Sequence, residues 1–284
     1  MLKVAHLSDL HFSHPTFNPS QFINKRWIGN LNLLFFRKYL YDTKHLLHLP
    51  QFFDSLNVDH VCITGDFSSL SLDSEFRESK AFVDSFSQPV YFLPGNHDCY
   101  TKAVEKTRRF YHFFPSEDLK NQRIEKKYLG KGWWWIGLDC AVATPPFYSL
   151  GLFSSTMKKA LKQILDCIPL HEHVIIGNHF PLYPTHRPMH DLQGAHLLQQ
   201  ILKNYPQVKL YLHGHDHKYY IQEERKEGLP LVFNSGSVAH RSNGTFYLFQ
   251  LNEKECLVDH FILDNNRKTC SWVVNWQKRF TYNA

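Results

Sequence analysis

With 284 residues, 43% of them hydrophobic and 20% charged, the chain has a globular composition and the length to bury a core that holds a site rigidly. That composition excludes a disordered chain, and no run approaches the roughly 20 apolar residues of a membrane-spanning helix. Thirty-two Lys and Arg against 26 Asp and Glu give a formal charge of +6, which favours phosphates, nucleic acid or an acidic membrane surface without choosing among them.

In chain order, residues 2–7 predict a first strand that runs into Ser8-Asp9-Leu10-His11. Residues 17–43 follow as a long insertion holding Lys25, Arg26, Trp27, Phe35, Phe36, Arg37, Lys38 and Tyr39. From 22 to 48, five Lys and Arg face one acid, Asp42, so much of the excess charge sits in this stretch. A helix over 44–57 precedes a strand at 58–64 that ends in Gly65-Asp66. A helix over 74–87 precedes a strand at 89–93 that leads to Gly95-Asn96-His97-Asp98. After a helix at 101–112, Trp133-Trp134-Trp135 opens a buried strand at 133–138. A helix at 155–167 precedes a strand at 173–176 ending in Gly177-Asn178-His179. A helix at 191–204 precedes one at 208–212 ending in His213-Gly214-His215-Asp216-His217. Further strands fall at 230–234, 245–251 and 255–263, the last two as a hairpin. Alternating strands and helices argue for an α/β fold, with one domain over 1–263 and residues 264–284 as a tail.

Six scattered cysteines without a C-x-x-C pair suggest neither a zinc knuckle nor a redox dithiol. The opening residues hold no apolar core of signal-peptide length. The expectation is therefore a cytoplasmic protein with reduced thiols, peripheral at most on the inner membrane face.

Each polar cluster falls at the carboxyl end of a predicted strand, and in open α/β sheets those ends converge where ligands bind. Asp9, His11, Asp66, Asn96, His97, Asp98, His179, His215 and His217 are thereby brought to one place. Mixed oxygen and imidazole ligands suit Mn, Fe or Zn better than the all-oxygen shells of Ca or Mg. Two such ions sharing a carboxylate clamp an in-line displacement at phosphorus. Asp66, straight after a strand and a glycine, fits the shared ligand. His97 fits a proton donor to the leaving oxygen, with Asp98 holding its ring.

The series Asp9-x-His11, Gly65-Asp66, Gly95-Asn96-His97-Asp98, Gly177-x-His179 and Gly214-His215-x-His217 resembles the full motif set of the calcineurin-like metallophosphoesterases, in the family's order over residues 9–217. The resemblance implies a four-layer sandwich of two mixed sheets flanked by helices. It implies that Asp9, His11, Asp66 and His217 hold one divalent ion, and that Asp66, Asn96, His179 and His215 hold the second. It further implies that a metal-bridging hydroxide attacks a phosphodiester or diphosphate while His97 serves as the leaving-group acid. Many relatives carry His-His-Pro where this chain has Asn178-His179-Phe180-Pro181, so the ligand is kept and only its neighbour changes.

Two substrates suit these features: a UDP-2,3-diacylglucosamine-type lipid, with the basic aromatic insertion meeting a membrane through 22–40, and a cyclic nucleotide such as cAMP. Arg187, His240 and Arg241 are candidates for phosphate contact. Nucleic acid is not an expected partner. A non-catalytic scaffold of the same fold is the third reading, and the complete ligand set argues against it.

Overall fold

The computed structural model describes residues 1–14, 25–33, 35, 38–223, 228–264 and 271–282. Its first strands are β1 (Leu2–Leu7), β2 (His60–Ile63), β3 (Val90–Phe92), β4 (Ile124–Gly130), β5 (Trp133–Leu138), β6 (Gly151–Leu152) and β7 (His173–Gly177). The rest are β8 (Leu192–Gln193), β9 (Val208–His213), β10 (Tyr219–Gln222), β11 (Leu231–Ser235), β12 (Thr245–Leu251), β13 (Glu255–Asp264) and β14 (Ser271–Thr281). They form two six-stranded sheets, ordered β14-β13-β12-β1-β2-β3 and β10-β11-β9-β7-β5-β4, and a small β6-β8 pair.

Both large sheets are mixed. In the first, β1, β2 and β3 run parallel, and β12, β13 and β14 add antiparallel pairing. In the second, β5, β7, β9 and β11 run parallel between antiparallel edges β4 and β10. The period-2 pattern sorts the core. On β7, Ile175 joins the cluster between the sheets with Leu210, Phe233, Val4 and Leu93, whereas Val174 and Ile176 pack outward. Met157, Leu161 and Leu165 of the helix Ser155–Asp166 cover that outer face. Phe53 and Phe82 of the helices Leu49–Ser55 and Asp73–Val83 pack on the first sheet. The expected four-layer sandwich is the observed one, and Trp133 and Trp135 are fully buried in it.

The expected 101–112 helix breaks at Arg108, whose φ is +49°, leaving helices Lys102–Thr107 and Phe110–Phe113. Five strands went unforeseen: β4, β10 and β14 at the edges of the large sheets, and the short β6 and β8, the latter inside the stretch expected as a helix over 191–204. The stretch set apart as a tail carries β14, which pairs along β13 from Ser271 to Thr281.

Candidate active site

The parallel strands deliver the predicted residues to one edge. Asp9 and His11 follow β1, Asp66 follows β2, Asn96, His97 and Asp98 follow β3, His179 follows β7, and His215 and His217 follow β9. Backbone bonds lace the loops together: Asp9 N–H to Gly65 O at 3.0 Å, His11 N–H to Asp66 O at 2.8 Å, and Gly214 N–H to His179 O at 3.1 Å. Asp9, His11, Asp66, His215 and His217 all have φ between +48° and +77°. A side chain in that region costs on the order of 1–3 kcal/mol, so five ligand candidates held there mark stored strain at a functional site. Gly95 and Gly214 admit the carboxylates. A Cβ on Gly95 would lie 2.1 Å from Asp66 Oδ1, and one on Gly214 would lie 2.3 Å from Asp9 Oδ2.

Two cradles result, with Asp66 between them. In the first, His11 Nε2 lies 2.9 Å from His217 Nε2, 3.7 Å from Asp9 Oδ1 and 3.8 Å from Asp66 Oδ2. His217 Nε2 is 3.1 Å from Asp9 Oδ1, and one donor atom from each of these four residues lies within 4.8 Å of the others. In the second, His179 Nε2 is 3.1 Å from Asn96 Oδ1, 3.2 Å from His215 Nδ1 and 3.5 Å from Asp66 Oδ1. Asp66 thus turns one oxygen to each cradle.

The outer nitrogens of the rings fix which atoms face inward. His179 Nδ1–H donates to Thr64 O at 2.7 Å, and His215 Nε2–H donates to His190 O at 3.0 Å. Donation to carbonyls leaves His179 Nε2 and His215 Nδ1 as lone pairs 3.2 Å apart, an arrangement that asks for a cation between them. Asp9 Oδ1 is likewise buried without a well-aligned hydrogen-bond donor. The electrostatics agree. Burial disfavours charge on Asp66 and Asp9, yet His179 and His97 hold Asp66 well below the usual carboxylate range, and His217 does the same for Asp9. Burial also disfavours a charged ring at His179, but the Asp66 carboxylate outweighs it and raises that histidine to about 9, so the positive charge this pocket draws falls on the Nε2 that a bound cation would otherwise meet. Anionic oxygens and imidazole nitrogens, short of positive charge, fit two divalent ions.

The sequence comparison agrees with this geometry. Residues 2–219 match the family model described as calcineurin-like phosphoesterase. The chain belongs to the calcineurin-like phosphoesterases. It is 29% identical over 163 residues to the 3′,5′-cyclic adenosine monophosphate phosphodiesterase CpdA of Haemophilus influenzae, covering 56% of this chain and 55% of that protein. A 3′,5′-cyclic-nucleotide phosphodiesterase of Nostoc is 28% identical over 163 residues, with 57% and 56% coverage. The chain therefore spans about half the length of the curated relatives it matches. Among solved structures, a dimetal phosphatase from Danio rerio superposes with a TM-score of 0.72 at 13% identity over 99% of both chains. The yellow lupin purple acid phosphatase PPD1 gives 0.64 at 10% identity over 99% of this chain and 53% of its own. At such identities the likeness concerns the fold.

In this phosphoesterase, His97 stands beside the first cradle, its ring centroid 5.2 Å from that of His11. The expected ring holder, Asp98, does something else. Its carboxylate accepts from Phe67 N, Ser68 N, Ser68 Oγ and Gly95 N at 2.8–3.0 Å, which braces the β2 and β3 loops. The His97 ring is oriented by Ser69, whose carbonyl accepts from Nδ1 at 2.7 Å. A backbone carbonyl carries no residue identity, so sequence could not single it out. Asn178 is also an inward brace: its Oδ1 accepts from Phe180 N, and its Nδ2 lies 3.4 Å from Cys140 Sγ.

One more orienting residue was missed. The Tyr41 hydroxyl lies 2.6 Å from His217 Nδ1, leaving Nε2 for the first cradle. Tyr41 reaches it because the end of the insertion is stitched to the loop after β11: Asp42 N–H donates to Ala239 O and Arg241 N–H to Leu40 O. His240 and Arg241 thus stand beside Tyr41. His240 Nδ1 accepts from the backbone of Ser242 and Asn243, and the exposed Arg241 guanidinium lies 3.8 Å from Asp42. Arg187 is exposed in the loop whose His190 carbonyl holds His215.

Within the 17–43 insertion, residues 17–24, Leu34, Phe36, Arg37 and the Lys38 side chain lie outside the described residues. Of the four basic residues expected to meet headgroups, the two whose side chains are described, Lys25 and Arg26, turn inward. Lys25 Nζ donates to Thr144 O at 3.0 Å, and Arg26 donates to Leu70 O and Ser71 O at 2.8 and 2.9 Å. Trp27, Leu31, Phe35, Tyr39 and Leu40 are the exposed large hydrophobic residues described there. No helix among the described residues is long and apolar enough to cross a membrane.

Proposed function

We propose that this site hydrolyses a phosphodiester of a small nucleotide-type substrate, the cyclic-nucleotide phosphodiesters named in its relatives being the first class to try. The carrying observation is Asp66, with Oδ2 turned to the His11 side and Oδ1 to the His179 side of a closed ring of donors. When bound, a pair of divalent cations supplies Lewis acidity at phosphorus and an activated water. Asp9, His11 and His217 hold one side of that pair, and Asn96, His179 and His215 hold the other. The carbonyls of Thr64 and His190 and the hydroxyl of Tyr41 keep the rings turned inward. With Nδ1–H donating to Ser69 O, Nε2 is the nitrogen through which His97 would hand a proton to the departing alkoxide.

A second reading has an observation of its own. Trp27, Leu31, Phe35 and Tyr39 expose apolar surface on the segment that ends at Tyr41, beside the first cradle, so a nucleotide-linked lipid such as UDP-2,3-diacylglucosamine would find contact for an acyl chain there. The deciding experiment offers Mn-loaded protein cAMP and UDP-2,3-diacylglucosamine in detergent at equal concentration, beside bis(p-nitrophenyl) phosphate. Faster cAMP turnover supports the first reading. Faster lipid turnover, lost in Trp27→Ser and Phe35→Ser with the generic diester still cleaved, replaces it by the second. Cleavage of none of the three returns the chain to a scaffold.

A further inference from the structure

Beside the cradles lies a cavity of about 730 Å³ whose chemistry the hydrolytic site does not use. Its basic lining comes from four parts of the chain: His14 after β1, Arg26 on the insertion helix, Arg77 on the helix Asp73–Val83, and Arg109 and His112 around the helix Phe110–Phe113. Asp73 is the one carboxylate in the lining, and it is spent: Arg109 grips it through Nε at 2.9 Å and through Nη2. Arg26 is spent on two carbonyls, as above, and His14 meets Glu78 at 2.6 Å on the cavity's edge. Three donors are not. Among the described residues, the Arg77 guanidinium, the Ser74 hydroxyl and the His112 ring enter no side-chain hydrogen bond.

The cavity shares walls with the active site. Ser71, in its lining, donates through Oγ to His97 O at 2.7 Å. Ser13, next to His14, donates through Oγ to His11 O at 2.7 Å. With its one lining carboxylate already held by Arg109, the hollow offers the Arg77 guanidinium, the Ser74 hydroxyl and the His112 ring within a basic wall, and the ligand class that matches it is a phosphoryl group. We propose that this cavity is a second anion site that takes a phosphoryl group, either a further phosphate of the substrate or free phosphate. The site extends the hydrolytic reading of the previous section, and its occupant would sit just behind the His97 turn.

The test titrates Mn-loaded protein with inorganic phosphate by calorimetry, alongside phosphate inhibition of bis(p-nitrophenyl) phosphate cleavage. Wild-type protein should bind phosphate in two classes, one matching the competitive inhibition constant. Arg77→Glu and His112→Glu each change an exposed side chain, so the fold should survive, as thermal melting would verify. Each should weaken the second class by about tenfold or more and leave the inhibition constant unchanged. A single class in wild type, or a second class indifferent to both substitutions, overturns the proposal. Inhibition by ADP and AMP separates the sources. If Arg77→Glu selectively weakens ADP, the occupant is a substrate's second phosphate. If neither nucleotide changes while the phosphate class is lost, the occupant is free phosphate. Failure to cleave the diester would count against the hydrolytic reading alone, because calorimetry reads binding without turnover.

Discussion

The two cradles are alike in ligands and unlike in support. The rings of the second, His179 and His215, are steered by backbone carbonyls of Thr64 and His190, with His179 buried and His215 half-buried. In the first, His217 keeps 23% of its side chain exposed and is steered by a hydroxyl that arrives on the insertion. One cradle is therefore steered by carbonyls of the loop after β2 and the turn at 188–190, and the other is completed when the 39–42 segment docks on residues 239–241. Ligand identity alone would make them equals. Orientation makes the first the more easily disturbed.

The largest effect should come from the residue that belongs to both. Asp66→Ala removes a ligand from each cradle, so activity on any diester should fall by roughly 10³ or more, the loss expected when several kcal/mol of charge stabilisation goes. Metal content after dialysis should fall for both ions together. Loss of only one ion would mean that Asp66 serves a single cradle.

His97→Ala leaves both cradles intact and should retain both ions. Turnover of an alkyl leaving group should drop by about 10²–10⁴, while p-nitrophenolate, which leaves without a proton, suffers less. Equal losses on the two substrates would refute the acid assignment. Ser69 acts here through its carbonyl, so Ser69→Ala should mimic none of this loss of turnover.

Tyr41→Phe tests the contrast between the cradles directly. Deleting a hydroxyl that orients a ligand ring should weaken the affinity of the first cradle by about 10–100-fold and spare the second, seen as two separated steps in a Mn titration followed by paramagnetic resonance. If both steps shift together or neither moves, the insertion has no special hold on the first cradle.

How much of this was legible follows from what each feature is made of. The seven ligand candidates are side chains at strand ends, and residue type and spacing are enough to bring them to one edge, where the structure places them. Tyr41 was not, because nothing in an aromatic, basic insertion says which ring will reach His217. Ser69 takes the role expected of Asp98 for a related reason: a loop can orient a ring with a carbonyl as well as with a carboxylate. In the fold, the central strands were read from continuous apolar runs, whereas β4, with Lys126 and Lys127, and β14, with Lys278 and Arg279, are half-exposed edges whose mixed pattern hides them. The direction in which Lys25 and Arg26 point was hidden too, since their carbonyl acceptors lie more than 40 residues away.

The smallest effect guards the comparison against a false reading, since acid would strip metals and unfold the sandwich at once. His260, on β13, is fully buried between Tyr219 and Trp276. Its Nδ1 accepts from Asn275 Nδ2 at 3.1 Å, and its Nε2 meets Thr245 Oγ1, so a second proton would set an N–H against an amide donor. Burial lowers this ring from 6.5 to about 4. Unfolding frees it to titrate normally, so the unfolded chain binds the extra proton below pH 6.5 and the folded chain does not until about 4. Stability is thus full above pH 6.5 and falls as the pH drops, by on the order of 2 kcal/mol at pH 5 from this group. Urea melts at pH 7 and pH 5 should record that fall, and His260→Gln should remove about one proton from the slope without changing activity at pH 7. An unchanged slope would mean that acid acts elsewhere, and loss of the first ion at pH 5 could then be assigned to the cradle rather than to the scaffold beneath it.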